Sequence, residues 1–307
     1  MNRFPYWIKK RISLAPSVEW ARKTLADLNV ETVCGHSRCP NQNECYARQY
    51  AAFLLLGTIC TRSCTYCSTR KGKHPDPVDH DEPGRVAAAV RRLKISFAVI
   101  TSVTRDDLPD GGAKHFAATV NEIRRINSAV RVEVLVPDFF GDTELVAVVL
   151  KTAPDVFAHN VETIPRLYRT VRPEADFERS LDVVRAVASR SPKTVIKSGV
   201  MLGLGEDKGE VLDLLVKLRA AGCDIVTIGQ YLSPGKHSAA VQRFVEPEEF
   251  EFYREFALSI GFSDAPSGPF VRSSYCADAM LDAALARQSI NKKMGRNHGR
   301  SKIAYAC

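Results

Sequence analysis

What this sequence lacks narrows its class before any motif is read. It has no long apolar run: the longest, Ala51 to Cys60, is far short of the roughly 20 residues of a membrane span. The basic N-terminus (Arg3, Lys9, Lys10, Arg11) is not followed by an apolar segment, so no secretory signal is visible and a cytoplasmic protein is expected. Glycine and proline, 18 and 16 of 307 residues, stand near average usage, which excludes collagen-like and low-complexity chains. There is no internal repeat beyond an alternation of strands and helices. What remains is ordinary globular composition: 45% hydrophobic, enough for a sizeable core, in a length that suits one barrel-type α/β domain with extensions or two small domains.

Two features depart from the ordinary. The net charge is +8, spread along the chain rather than set in one block. Such a charge suits nucleic acid or an acidic protein partner, or serves solubility alone. The nine cysteines say more, because six of them fall between Cys34 and Cys67. Cysteines of a cytosolic chain rarely form disulfides, so this clustering points to metal.

Short apolar runs predict strands over Ala52–Leu56, Phe97–Thr101, Val132–Val136, Val156–Ala158, Val195–Lys197 and Ile225–Ile228. Helical spacing predicts helices over Val18–Leu28, Gly84–Lys94, Ala113–Ile126, Thr143–Leu150, Phe177–Ser189, Gly209–Ala221 and Pro247–Ile260. Strands alternating with helices argue a parallel sheet, either an open (β/α)6 barrel or a doubly wound sheet. Residues 31–50 read as a polar, cysteine-bearing loop, and Asn291–Cys307 as a basic, flexible tail. Cys223, after a glycine and before an apolar strand, reads as a buried free thiol, and the terminal Cys307 as exposed and without a role.

Cys60, Cys64 and Cys67 form a C-x3-C-x2-C triplet just after the first strand. Loops at the C-terminal ends of parallel strands are where chemistry sits. Three thiolates from one loop can hold three irons of a 4Fe–4S cluster and leave the fourth open to a small molecule. Structural zinc asks for four closed ligands, commonly in two C-x2-C pairs, and no second such pair follows. Upstream, Cys34, Cys39 and Cys45 make a C-x4-C-x5-C triplet, a second three-thiolate loop. His36 within it is a further ligand by chemistry, though a loop histidine is more often solvated.

The C-x3-C-x2-C spacing resembles the signature of the radical S-adenosylmethionine superfamily, and the two triplets in this order resemble the lipoyl synthase family. Other stretches agree with that family: Pro5-Tyr-Trp7-Ile-Lys9, Thr101 through Ala113, Asn160-Val-Glu162-Thr, Thr170-Val-Arg172-Pro, Gly203-Leu-Gly205-Glu206, Gly229-Gln-Tyr-Leu and Val271-Arg-Ser-Ser274-Tyr-Cys276-Ala. The resemblance runs from about residue 5 to 285 and leaves out the tail. It implies a partial (β/α)6 TIM-like barrel over 51–262. Residues 1–50 would form an N-terminal extension with auxiliary-cluster cysteines, and 263–307 a C-terminal extension with the Arg-Ser-Ser-Tyr motif. It also implies two 4Fe–4S clusters, one on Cys60, Cys64 and Cys67 and one on Cys34, Cys39, Cys45 and Ser274. Serine oxygen is a harder ligand than thiolate, which would make one auxiliary iron labile. Read from the residues alone, Ser273 and Ser274 are a polar turn, and Cys276 competes with Ser274 as a ligand.

The resemblance further implies the reaction. An external donor, ferredoxin or flavodoxin, reduces the first cluster, which cleaves S-adenosylmethionine to methionine and a 5′-deoxyadenosyl radical. That radical takes hydrogen from C6 and, with a second S-adenosylmethionine, from C8 of an octanoyl group on a lysine. Sulfur comes from the auxiliary cluster, which an iron–sulfur carrier protein rebuilds. The substrates are octanoylated lipoyl carrier domains, of a 2-oxoacid dehydrogenase E2 or the glycine cleavage H protein, usually acidic; neither nucleic acid nor membrane is expected. Tyr66 is the expected partner of the adenine. Gly203 and Gly205 resemble a segment whose backbone approaches it, although glycine after a strand usually marks a turn. Asn160, Glu162, Arg172 and Lys197 are candidates for ribose and the methionine carboxylate, as polar residues at strand ends; a surface ion pair or a turn is the competing reading for each. The alternatives are a tRNA methylthiotransferase, which would need an RNA-binding β-domain that does not fit after residue 290, and a non-catalytic electron carrier or zinc protein. Carriers are usually small and ligate each cluster with four cysteines.

Overall fold

Buried on both faces, a parallel strand needs apolar residues in succession rather than in alternation. That is how the main strands of this computed structural model read. The structure describes residues 4–10 and 15–293. In chain order the elements are α1 (Pro16–Asp27), α2 (Val33–His36), α3 (Gln42–Ala47), β1 (Ala52–Leu55), β2 (Ile59–Cys60), β3 (Arg70–Lys71), α4 (Glu82–Arg92), β4 (Phe97–Ser102), α5 (Ala113–Ile126) and β5 (Arg131–Leu135). They continue with α6 (Thr143–Leu150), β6 (Val156–Ala158), α7 (Tyr168–Val171), α8 (Phe177–Arg190), β7 (Val195–Leu202), α9 (Lys208–Ala221), β8 (Ile225–Gln230), α10 (Pro247–Ser259), β9 (Ser267–Gly268) and α11 (Ala277–Lys293).

The main sheet has the order β1-β4-β5-β6-β7-β8-β9, every pair parallel. Each strand pairs with the next one along the winding, and the order never reverses. A doubly wound sheet requires such a reversal, so the fold is a partial TIM-like barrel. Among the described residues β1 and β9 do not pair, so the barrel stays open on one side.

Helices cover the outside through apolar stripes. Phe116, Val120 and Ile123 of α5 and Leu181, Val184 and Val187 of α8 are buried at helical spacing. Each such side chain stabilises the fold by about 1.5–3 kcal/mol. Helix α9 starts on a capping box between Asp207 and Glu210 and ends on Gly222, whose φ of 104° is left-handed.

The two terminal segments occupy the open side. Thr32 bridges antiparallel to Phe53, and Leu54 N donates to Glu31 O at 2.9 Å, so residues 31–33 run beside β1. On the other side β9 extends the sheet from β8, and α11 buries Ala277, Met280, Leu281 and Ala284. Asn41 Nδ2 donates to Phe270 O at 2.7 Å and Tyr275 Oη to Glu44 Oε1 at 2.7 Å, which ties the two segments together.

Four expectations change. Residues 31–50 are not a simple loop but carry the short helices α2 and α3; the Thr32 hydroxyl caps α2 by accepting from Gly35 N at 3.3 Å. The fifth predicted strand does not stop at Lys197 but runs to Leu202, so Gly199, Val200 and Met201 lie within it rather than after it. A two-residue strand, β9, went unread because it has no apolar run. The predicted tail begins within α11, which continues to Lys293; residues 294–307, with Cys307, lie outside the described residues.

Candidate active site

The loop after β1 is held in place by backbone before any cofactor is considered. Residues Ile59–Cys60 and Arg70–Lys71 pair as a short parallel ribbon that closes the Cys60–Cys67 loop at its base. Lys71 Nζ donates to the carbonyls of Cys64 (3.1 Å) and Cys67 (2.8 Å). Thr61 N and Oγ1 both donate to Thr104 O at 3.0 Å. Arg62, between the first two cysteines and nearly fully buried, forks onto Asp106 (2.7 and 3.0 Å) and Asp138 (3.0 and 2.6 Å). This bidentate pairing with two carboxylates pins the loop to the ends of β4 and β5. The Thr101–Ala113 stretch thus acts as a latch: Asp106 holds Arg62, and the Asp110 carboxylate accepts from Gly112 N and Lys114 N to start α5.

The half-buried thiols of Cys60, Cys64 and Cys67 line one cavity of ≈ 150 Å³ together with Tyr66, Asn160, Glu162 and Arg172. Burial raises the Cys64 thiol; the Arg172 guanidinium opposes this, and Cys67 and Cys60 add to it. Glu162, in left-handed backbone at φ 66°, is stitched to β7: its N–H donates to Gly199 O at 2.9 Å and its carbonyl accepts from Met201 N at 2.8 Å. Burial raises its carboxyl, against Arg172, Asn160 and Tyr66. Arg172 Nη1 donates to the carbonyls of Asn160 and Val161, both at 3.0 Å. Gly199 is required here, since a Cβ would come within 2.8 Å of Thr227 Oγ1 and 2.9 Å of Asn160 Oδ1.

Gly203, Gly205 and Lys197 do not line that cavity. Gly203 and Gly205 take φ of 98° and 114° in a turn that Glu206 closes by accepting from Gly203 N (2.6 Å) and Leu204 N (2.9 Å). Leu204 packs with Val171 and Tyr231 in a small cluster that Tyr66 joins, so the turn supports the Tyr66 ring. Lys197 has no exposed surface; it pairs with Glu133 inside the barrel and donates to Ser273 O at 2.8 Å.

The other triplet sits on the extension beside β1: Cys34 on α2, Cys39 between the helices, Cys45 on α3. Burial pushes the Cys45 thiol up to about 12, with Cys34, Cys39 and Cys276 adding to the shift. The Cys34 thiol rises to about 11, by burial and by Cys39. The three cysteines and Cys276 thus lie within electrostatic reach of one another. Cys276 receives Arg48 Nη1 at 3.7 Å. The half-buried Ser274 hydroxyl makes no hydrogen bond among the described residues. His36 donates to the Glu31 carboxylate at 2.8 Å. Cys223 is fully buried, as its setting predicts.

The loop 271–276 joins the two neighbourhoods. Ser273 Oγ donates to Asn160 Oδ1 at 3.2 Å on the cavity side, and Tyr275 Oη reaches Glu44, the neighbour of Cys45, on the other. Gly229 lets it pass, because a Cβ there would meet Val271 O at 2.3 Å. Among the described residues no three His, Cys, Asp or Glu side chains converge as a single metal ion would need. A 4Fe–4S cube spreads its ligands wider than one ion does. Sequence reasoning missed Arg62, Ser102, Glu133 and His159. Their signals were present, Arg62 inside the cysteine loop and Ser102 and His159 at strand ends, but each is an ordinary residue until the barrel closes around it.

Comparison with known proteins decides the family. Residues 54–230 match the Radical SAM superfamily. Over 274 residues the chain is 51% identical to the lipoyl synthase of Caldicellulosiruptor saccharolyticus, covering 89% of this chain and 96% of that protein. It is 49% identical over 282 residues to the lipoyl synthase of Caldanaerobacter subterraneus subsp. tengcongensis, covering 92% and 98%. The chain belongs to the lipoyl synthase family. As a lipoyl synthase it is a radical S-adenosylmethionine enzyme, and membership implies a 4Fe–4S cluster, S-adenosylmethionine and an octanoylated carrier-protein substrate. Solved structures agree on the fold alone: HydG, a maturase of the [FeFe]-hydrogenase, at TM-score 0.50 and 13% identity over 91% of this chain and 82% of that one, and Streptococcus suis SuiB at TM-score 0.51 and 8% identity over 78% and 51%. The residues present suit those groups. Three thiols of one loop line a cavity together with polar residues, and a hydroxyl with no partner among the described residues stands on the loop that approaches the other three thiols. No helix among the described residues is long and apolar enough to cross a membrane.

Proposed function

We propose that this chain inserts sulfur at C6 and C8 of an octanoyl group carried on a lysine of a lipoyl domain. In this reading Cys60, Cys64 and Cys67 hold one 4Fe–4S cluster, and Cys34, Cys39, Cys45 and Ser274 hold an auxiliary one. Bound there, the first cluster with two equivalents of S-adenosylmethionine supplies radicals able to break unactivated C–H bonds, and the auxiliary cluster supplies the sulfur. The barrel of residues 51–262 carries the first centre, and the extensions 1–50 and 263–307 carry the second.

The residues contribute position. Arg62, Lys71 and Thr61 fix the loop of Cys60–Cys67, so its thiols keep their spacing without help from solvent. Tyr66, Glu162 and Arg172 form the wall where S-adenosylmethionine would be gripped. The observation that carries the reading is the bridge made by residues 273–275. Its two hydrogen bonds, to Asn160 and to Glu44, set Ser274 between the cavity and Cys45. An acyl chain lying along this bridge would present C6 and C8 to both centres. An external one-electron donor of the ferredoxin or flavodoxin type and an iron–sulfur carrier complete the cycle.

Iron and acid-labile sulfide per chain after anaerobic reconstitution test this directly. About eight irons are expected, falling to about four in the Cys34→Ala/Cys39→Ala/Cys45→Ala variant. Four in both would mean that the first triplet holds no cluster. Auxiliary iron kept in Ser274→Ala and lost in Cys276→Ala would transfer the fourth ligand to Cys276.

A further inference from the structure

A lysine side chain and its octanoyl chain are the whole length of arm that the proposed reaction allows. The protein carrying them must therefore rest its surface against the rim of the cavity of Cys60, Cys64 and Cys67. What lies exposed on that rim describes the carrier.

Residues 69–71 run along the rim as extended chain. Thr69 and Lys71 line the cavity, and Arg70 between them is exposed, as alternation along a strand requires. Gly72 N then donates to Cys60 O at 3.0 Å, and Lys73 beyond it is exposed. Ser68 Oγ donates to His36 O at 2.9 Å, which sets the segment of the other triplet against this stretch. Arg38 follows there, exposed and in left-handed backbone at φ 49°, a position after a helix that favours glycine or asparagine. Residues 36–38 and 68–76 together carry Arg38, Arg70, Lys71 and Lys73 against one carboxylate, Asp76. Lys71 is committed to the carbonyls of Cys64 and Cys67. Arg38, Arg70 and Lys73 make no ion pair among the described residues. Glu31 and Asp79, which flank these segments in the chain, are already engaged by His36 and Arg85.

Three unpaired cations on one rim suit a surface of opposite charge, and such complementarity selects a partner and its orientation. Resting on the proposal that this chain acts on an octanoyl group carried by a protein lysine, we infer that Arg38, Arg70 and Lys73 form the docking surface for that carrier. The carrier in turn presents carboxylates beside its modified lysine. Position separates this patch from the rest of the positive charge. Arg91 and Arg92 are also exposed and without an ion pair, but they end α4, ahead of β4. The six residues of β4 span about 20 Å, so these two stand at the end of the barrel away from the cysteines. That is beyond the Debye length of about 10 Å at 0.1 M salt. The patch, by contrast, lies beside both triplets, and a carrier seated on it presents its lysine between the two proposed centres.

The test measures binding apart from turnover. An octanoylated lipoyl domain of a 2-oxoacid dehydrogenase E2, with carboxylates beside its lysine, is labelled and titrated with anaerobically reconstituted enzyme. S-adenosylmethionine is left out, and iron content controls for an intact holoenzyme. At about 0.1 M salt, Arg70→Glu/Lys73→Glu should weaken binding about tenfold or more, and Arg38→Glu about threefold or more. Arg91→Glu/Arg92→Glu changes the net charge equally and should stay within about twofold of wild type. A domain whose flanking carboxylates are replaced by lysine should invert the order and bind Arg70→Glu/Lys73→Glu better than wild type. Equal losses in the two double variants would leave net charge alone at work and overturn the inference, as would no loss in either or no inversion. Unchanged domain binding, with loss only of a short RNA duplex or of turnover when flavodoxin replaces dithionite, would give the patch to nucleic acid or to the electron donor and overturn it too. Should Arg38→Glu, beside Cys39, lose iron, Arg70→Glu/Lys73→Glu decides by the same comparison. A wild type that binds the domain through the patch yet forms no C–S bond in it with S-adenosylmethionine and dithionite would instead bring down the proposed reaction and leave the docking surface standing.

Discussion

Lys197 and Glu133 face each other inside the barrel with no exposed surface on either. From sequence, a lysine at a strand end suggested a grip on a cofactor carboxylate; the structure spends its charge on Glu133 and on the carbonyl of Ser273. Burial raises the Glu133 carboxyl and Lys197 opposes it, the balance of a pair that has left water together. Removing one partner strands a charge, which costs about 3–5 kcal/mol, while replacing both with apolar groups is near neutral. Lys197→Met should therefore lower the unfolding free energy obtained from urea denaturation by that amount, and Lys197→Met/Glu133→Leu should recover most of it. Because Lys197 also holds Ser273, next to the ligand proposed for the auxiliary cluster, that proposal predicts that the single variant loses iron as well. A variant of unchanged stability with weakened S-adenosylmethionine binding would restore the cofactor role.

Elements show which positions tolerate a side chain. Gly84 is exposed within α4, and a Cβ there meets nothing within 4 Å. Gly84→Ala should stabilise by about 0.4–1 kcal/mol, through the entropy of the unfolded chain. Gly199 lies in the extended backbone of β7 and has no such room, so Gly199→Ala should cost about 1–3 kcal/mol and push Asn160 away from Ser273. Urea unfolding of the two variants side by side checks both signs. The same contrast explains what the sequence revealed of the fold. Six strands were legible because each is an apolar run buried on both faces, and the outer helices because each buries one stripe. The extension of β7 past Gly199 was not, since glycine reads locally as a turn and only the Asn160 contact explains it. Helices α2 and α3 were hidden because four- and six-residue helices have too few turns to show a period.

At the scale of the whole molecule, the cysteine spacing made both triplets legible, whereas the groups around them were not. His159, Ser102 and Arg62 are far apart in the chain, and only the winding of β4, β5 and β6 brings them to one mouth. Net charge is the property that needs no fold to read. With +8 spread over its surface, the enzyme should attract an acidic lipoyl domain at distances where no specific contact exists. Steering of this kind acts on association and weakens as the Debye length shrinks from about 10 Å at 0.1 M salt toward about 3 Å at 1 M. The ratio kcat/KM for an octanoylated acidic domain should fall about tenfold or more over that range, with kcat at saturation little changed. A short, uncharged octanoyl-lysine peptide feels no such field, so its kcat/KM should stay nearly flat. Parallel loss for both substrates would point to damage at the clusters by salt, and a flat response for both would remove charge from the account of how the carrier is found.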